Sequence, residues 1–144
     1  MKTPSHFIQG LLAITSCLVM SDAFAKASTQ CPSQQFPRFL NAFESKVKVQ
    51  KAFTAIPLKF GSYAPNYGDK PDVTYLKANE IDFPVLIDAK ERKKQGVVLS
   101  INKKNTKWYQ VSTHSTGTGA YTLELNFKKI AGCWRLVSMT DLST

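Results

Sequence analysis

Apolar positions along the chain follow two periods, and the period changes near residue 56. Phe36, Phe39, Leu40, Phe43 and Val47 recur at three- and four-residue spacing while Arg38, Asn41, Ser45 and Lys48 fall on other faces, the pattern of an amphipathic helix. Pro37 suits the first turn, where a backbone N–H is not needed. Phenylalanines along one stripe predict a core-facing surface packed on a sheet. Gln50 to Ala55 add a short second helix. From Ile56 the period drops to two. Ile56, Leu58 and Phe60 alternate with Pro57, Lys59 and Gly61 as in a half-buried strand, with Pro57 at its beginning or on an edge.

Residues 64–71 form a loop by composition, Ala-Pro-Asn-Tyr-Gly-Asp-Lys-Pro, and Val73 to Leu76 a short strand. The stretch from Ile81 to Gln95 is open to two readings. Pro84 opens a helix that ends in the Lys-rich turn, or Phe83, Val85 and Ile87 alternate in a strand. Beyond it the alternation is regular. Val97, Leu99 and Ile101 share one side, as do Tyr109 and Val111, and again Tyr121, Leu123, Leu125 and Phe127. A last strand runs from Cys133 to Thr140. The turns at Asn102–Thr106, Ser115–Gly119 and Ile130–Gly132 are short enough for antiparallel neighbours. The expected fold class is α+β, an N-terminal amphipathic helix packed on a curved antiparallel sheet.

The N-terminus follows neither period. Lys2 precedes an apolar run from Phe7 through Met20, and Ala23-Phe24-Ala25 places small residues where a signal peptidase reads. Residues 1–25 are therefore expected to be a signal peptide cleaved before Lys26, with 26–34 a tether and 35–144 a single domain in the periplasm or outside the cell. Gln9, Gly10, Thr15 and Ser16 interrupt the run, which falls short of the roughly 20 apolar residues of a spanning helix, so no membrane span is expected after processing. Ile14-Thr15-Ser16-Cys17 offers a rival site, a loose lipobox that would make Cys17 an acylated first residue.

Export changes the meaning of the cysteines and the charge. Of three cysteines, Cys17 leaves with the leader and Cys31 and Cys133 remain in an oxidising space, where they are expected to pair. Lys2 and Asp22 leave together, so the mature domain keeps the formal net charge of +9, a balance that favours anionic partners. Lys90, Arg92, Lys93 and Lys94 form one basic cluster; Lys103, Lys104 and Lys107 form another at the far end of the intervening strand, roughly 20 Å away. Both are candidate contacts for an anionic surface or partner. Export argues against nucleic acid and leaves envelope polymers, lipid headgroups or an acidic protein.

The run Leu125-Asn-Phe-Lys-Lys-Ile-Ala-Gly-Cys-Trp-Arg-Leu-Val-Ser-Met-Thr-Asp, with Gly132 turning into Trp134-Arg-Leu136, resembles the final hairpin of the cystatin-like, NTF2-like superfamily. Phe39-Leu40, Phe43, Gln50 and Pro57-Leu58 resemble the opening of small exported NTF2-like domains of unknown function. The resemblance covers most of residues 35–142. It implies a curved sheet wrapped round the helix and enclosing a conical pocket, on a scaffold that hosts enzymes, ligand binders and interaction modules alike.

Catalytic chemistry is sparse. His114 is the one histidine outside the leader, and no nucleophile elbow, HExxH, CxxC or P-loop pattern accompanies it. No metal site or cofactor is expected. Ser115-Thr-Gly-Thr-Gly119 has a phosphate-loop composition but lies between strands, without a helix N-terminus to hold an anion. Asp69 and Asp72 belong to a turn-rich loop. Glu80 and Asp82 would face a pocket only if their stretch were a strand. The leading expectation is an exported, non-enzymatic binding module, in its most specific form an immunity or inhibitor protein acting on an envelope protein. The alternative is a small pocket enzyme or a carrier of an apolar ligand, with Tyr75, Tyr109 and Tyr121 lining the cone.

Overall fold

The phenylalanine stripe forms α1, Phe36–Ser45, in the computed structural model, which describes residues 29–63, 70–117 and 122–143. Pro37 occupies its first turn, and Phe36, Phe39, Leu40 and Phe43 are all buried. Extended backbone at Lys46 ends α1, and a second helix, α2 (Val47–Phe53), starts at once. It begins three residues before the expected position, and its buried Gln50 and Phe53 face the core.

Six strands follow: β1 (Thr54–Ser62), β2 (Asp72–Leu76), β3 (Val97–Asn105), β4 (Trp108–Ser115), β5 (Thr122–Ile130) and β6 (Cys133–Asp141). They form one sheet in the order β2-β1-β6-β5-β4-β3. β3 to β6 make the expected antiparallel meander, closed at its last turn by Ala131 and Gly132, both at positive φ. That conformation matches the twist of a two-residue hairpin. The sheet is nevertheless mixed, because β1 lies parallel to β6. Alternation predicts which side of a strand is buried, but not which neighbour it takes when the meander brings β6 back beside β1. Register shifts interrupt the β1–β6, β3–β4 and β5–β6 pairings, and such bulges bend a sheet.

The helices fill the concave side. Phe36 stacks on Tyr109 with ring centroids 4.0 Å apart and meets Phe127 and Trp134 edge-on. Phe43 meets Phe127 edge-on at 5.1 Å. Leu58, Val111, Leu125, Phe127 and Leu136 are fully buried beneath them, and each large apolar side chain so buried contributes about 1.5–3 kcal/mol before entropy is counted. Cys31 and Cys133 are joined across 102 residues with Cα atoms 5.7 Å apart. Beside the bridge the indole Nε1–H of Trp134 donates to the Gln34 carbonyl at 2.9 Å, so residues 31–35 are tied down along the sheet.

The stretch left open between helix and strand is neither in its first half. Residues 81–88 are an irregular strap, and only then does α3, Ala89–Gln95, begin. Ile81, Val85 and Leu86 are buried without a repeating period, and the strap's backbone bonds to side chains instead of to a strand. Asp88 caps α3 by accepting from the Glu91 N–H at 2.9 Å, and Gly96, at φ 64°, closes it. Among the described residues no helix is long and apolar enough to cross a membrane. The expected leader, with Cys17, lies outside the described residues.

Candidate binding cavity

Gln50 holds the strap in place. Its side-chain amide is fully buried: Oε1 accepts from the N–H of Val85 at 2.8 Å and of Leu86 at 3.4 Å, and Nε2 donates to the Leu86 carbonyl at 2.7 Å. One glutamine thus satisfies three backbone groups that an irregular buried segment would leave unpaired. A second clamp comes from α3, where the Arg92 guanidinium donates to the Ile87 carbonyl at 2.6 Å and to Glu44 Oε2 of α1 at 2.7 Å.

Held this way, the strap roofs a cavity of about 380 Å³. Pro84, Val85, Leu86 and Ile87 form one wall, Gln95 and Val97 another, and Thr113 and Ser115 of β4 the floor. This volume falls within the usual range for small-molecule sites, which are mostly apolar with a few placed polar groups. The polar side chains here are Gln95 at the end of α3 and Thr113 and Ser115, the last two on one side of β4 and about 7 Å apart along the strand. Both hydroxyl oxygens are closed to solvent and neither has a hydrogen-bond partner among the described residues. Among the lining residues there is no carboxylate, histidine, cysteine, lysine or arginine.

No family model matches the chain, and no curated protein matches it. Over 81% of its length the chain superposes on an NTF2-like protein from Bacteroides fragilis NCTC 9343, with a TM-score of 0.59 at 18% identity. The fold is NTF2-like. The chain spans 50% of the length of that protein. Two NTF2-like proteins of unknown function, from Shewanella baltica OS155 and Silicibacter pomeroyi DSS-3, match 73% of the chain and 85% of their own lengths. Their identities are 10% and 8%, each with a TM-score of 0.41. The likeness is one of fold, and chemistry must be read from the residues of this NTF2-like domain.

Those residues do not fall as the sequence predicts. Tyr75 is 63% exposed on the edge strand β2, and Tyr109 is taken up by its stack on Phe36. Tyr121 lies outside the described residues. Of the two described tyrosines, neither lines the cavity under the strap. Phenylalanines fill most of the cone; besides the cavity under the strap, a more open one of about 390 Å³ lies beside Phe36, Tyr109 and Trp134. Glu80 accepts from the Lys77 N–H at 2.7 Å, and both it and Asp82 are exposed. His114 is exposed, on the side of β4 opposite Thr113. No cluster of histidine, cysteine and carboxylate side chains suited to a metal ion occurs among the described residues.

The basic clusters also change membership. Arg92 leaves the first one, because it is buried against Glu44 and Ile87. Lys90, Lys93 and Lys94 stay on the exposed side of α3, with Lys94 Nζ 3.8 Å from Glu91. Lys103, Lys104 and Lys107 are exposed at the β3–β4 turn, at the opposite end of the hairpin from the cavity. Sequence reasoning missed the cavity and its staple. The signal for the floor was present in β4, where Thr113 and Ser115 continue the buried side begun by Val111.

Proposed function

We propose that this chain is an exported, non-enzymatic binding domain that holds a small, uncharged, largely apolar ligand under the strap. The observation that carries the reading is the pair of partnerless hydroxyls, Thr113 and Ser115, in the floor of a cavity whose other lining side chains are apolar except Gln95. A buried hydroxyl without a partner costs about 1–3 kcal/mol, and a ligand carbonyl or hydroxyl seated between them removes that cost. The lack of a cation in the lining disfavours a carboxylate or phosphate ligand, since a buried unpaired charge is costly. The lack of an acid or base there favours retention over turnover.

The neutral apolar dye N-phenyl-1-naphthylamine tests the site. Val97→Trp fills the cavity and is expected to weaken dye binding by at least about ten-fold, roughly 1.4 kcal/mol; unchanged affinity would place the dye elsewhere and remove the reading. Thr113→Val deletes one unsatisfied hydroxyl at nearly constant volume. With no ligand present it is expected to stabilise the fold by about 1 kcal/mol in a urea melt; a loss of stability would mean that the hydroxyl already has a partner.

Export is tested by mass spectrometry of the secreted chain. A mature N-terminus at Lys26 is expected, whereas an acylated Cys17 would make the protein a lipoprotein and a retained Met1 would refute export. A second reading, an immunity or inhibitor role toward an envelope protein, draws support from Tyr75 and Val73, exposed side by side on edge strand β2. Capture of one envelope protein by the tagged chain, lost in Tyr75→Ser, would favour it.

A further inference from the structure

The end of the sheet away from the cavity gathers cations from β3, the β3–β4 turn, β5 and β6. Lys103 and Lys104 end β3 and Lys107 lies in the following turn, while the backbone N–H of Lys129 on β5 donates to the Lys107 carbonyl at 2.9 Å. On β5, Lys128 pairs with Trp108 of β4 on one side and Arg135 of β6 on the other. Sequence spacing separates these into unrelated stretches; the register brings them to one end of the sheet, with Lys128 and Arg135 on the side of Trp108 and Lys103 on the side of Tyr109, so that both sides meet at the turns. No Asp or Glu occurs in residues 103–110 or 126–135, and none of these cations forms an ion pair among the described residues.

The same end exposes apolar groups. Trp108 is 37% and Ile130 45% exposed. Lys128 Nζ lies 5.0 Å from the Trp108 ring centroid, so the ammonium and the indole occupy one patch. Ile130 follows two residues after Lys128 on the same side of β5. A soluble polyanion would draw on the charges alone. Lysines around an exposed Trp and Ile suit a lipid interface, where indole settles at headgroup level, aliphatic tips enter the acyl boundary and lysines meet anionic headgroups.

We propose that the β3–β4 and β5–β6 turn end of this domain docks on an anionic phospholipid surface through Lys103, Lys104, Lys107 and Lys128, with Trp108 and Ile130 entering the interface. The proposal does not depend on the cavity reading, which concerns the other end of the β3–β4 hairpin. The α3 lysines are the internal control. They are three exposed cations to the turn end's four, but they lie beside Asp88 and Glu91, without an exposed aromatic on their helix.

The test is co-sedimentation of the chain, purified as the host processes it, with phosphatidylcholine vesicles with and without phosphatidylglycerol. All variants share one N-terminus, so the ratios between them report the surface alone. A lysine near an anionic membrane contributes about five-fold in partitioning, so Lys103→Gln, Lys104→Gln, Lys107→Gln and Lys128→Gln together are expected to weaken binding at least about 50-fold. Trp108→Ser with Ile130→Ser is expected to cost about ten-fold and to leave the salt dependence unchanged, because it removes only apolar partition. Lys90→Gln, Lys93→Gln and Lys94→Gln together are expected to stay within about three-fold of the parent, being outside the docking face. Circular dichroism checks that each variant folds. Equal binding to pure phosphatidylcholine, equal losses from the α3 set and the turn-end set, or binding to soluble polyphosphate that survives the Trp108 and Ile130 changes with no vesicle preference would each overturn the proposal.

Discussion

Replacing both Cys31 and Cys133 with alanine is expected to lower unfolding free energy by about 4 kcal/mol. The bridge closes a loop of 102 residues, and a cross-link of that span removes unfolded-chain entropy worth about 4.7 kcal/mol at 25 °C in the loop-closure treatment. The native contacts around it survive in part, because the Gln34 carbonyl still accepts from Trp134 Nε1 and Phe36 still stacks on Tyr109. The loss should appear as a lower urea midpoint with a somewhat steeper slope, because the unlinked denatured chain expands and exposes more surface. Dithiothreitol should reproduce it in the parent and leave the double variant unaffected. A parent whose midpoint ignores the reductant would show that the bridge carries no stability. The cavity lies at the other end of the β3–β4 hairpin from Tyr109, so dye binding well below the melting temperature should persist without the disulfide.

What the sequence discloses and what it hides follow a physical division. Periodic burial is legible because it is local: Phe36, Phe39 and Phe43 report one helical face, and Leu123, Leu125 and Phe127 one strand face, whatever lies opposite. The hairpin turn at Ala131-Gly132 is legible for the same reason. Pairing is not local. Nothing in Thr54–Ser62 records that its neighbour will be β6, running parallel, because alternation is the same for a parallel and an antiparallel partner. The strap is hidden most completely. Ile81, Val85 and Leu86 are buried without a period, and the group that makes this possible, Gln50, stands on a helix 35 residues earlier. A lone glutamine in a helix reads as a solvent-facing polar residue until its three partners are seen. Arg92 deceives in the same way, since its charge counts toward a basic cluster until Glu44, 48 residues away, is found against it.

Gln50→Leu is the sharper probe of the site, because it keeps side-chain volume close to native while deleting all three bonds to the strap. The N–H groups of Val85 and Leu86 and the Leu86 carbonyl would then be buried without partners, and at about 1–3 kcal/mol for each such group the native strap would be disfavoured by about 3 kcal/mol or more. The cheaper outcome for the chain is to release the strap and hydrate it, keeping α1, α2 and the sheet. Hydrogen exchange distinguishes the two: fast exchange at Val85 and Leu86 with protection retained on β4 and β5 signals local release, whereas uniform loss signals global destabilisation. Release also removes the roof of the cavity, so dye affinity should fall by at least about ten-fold. Arg92→Met loosens the same strap at Ile87 and strands Glu44, so it is expected to destabilise by about 3 kcal/mol alone. Combined with Gln50→Leu it should add less than its separate effect, since a released strap no longer needs its second clamp. Full additivity would show that the two clamps hold independent elements, and unaltered exchange at Val85 and Leu86 in Gln50→Leu would show that packing of Ile81, Val85 and Leu86 alone suffices to hold the strap.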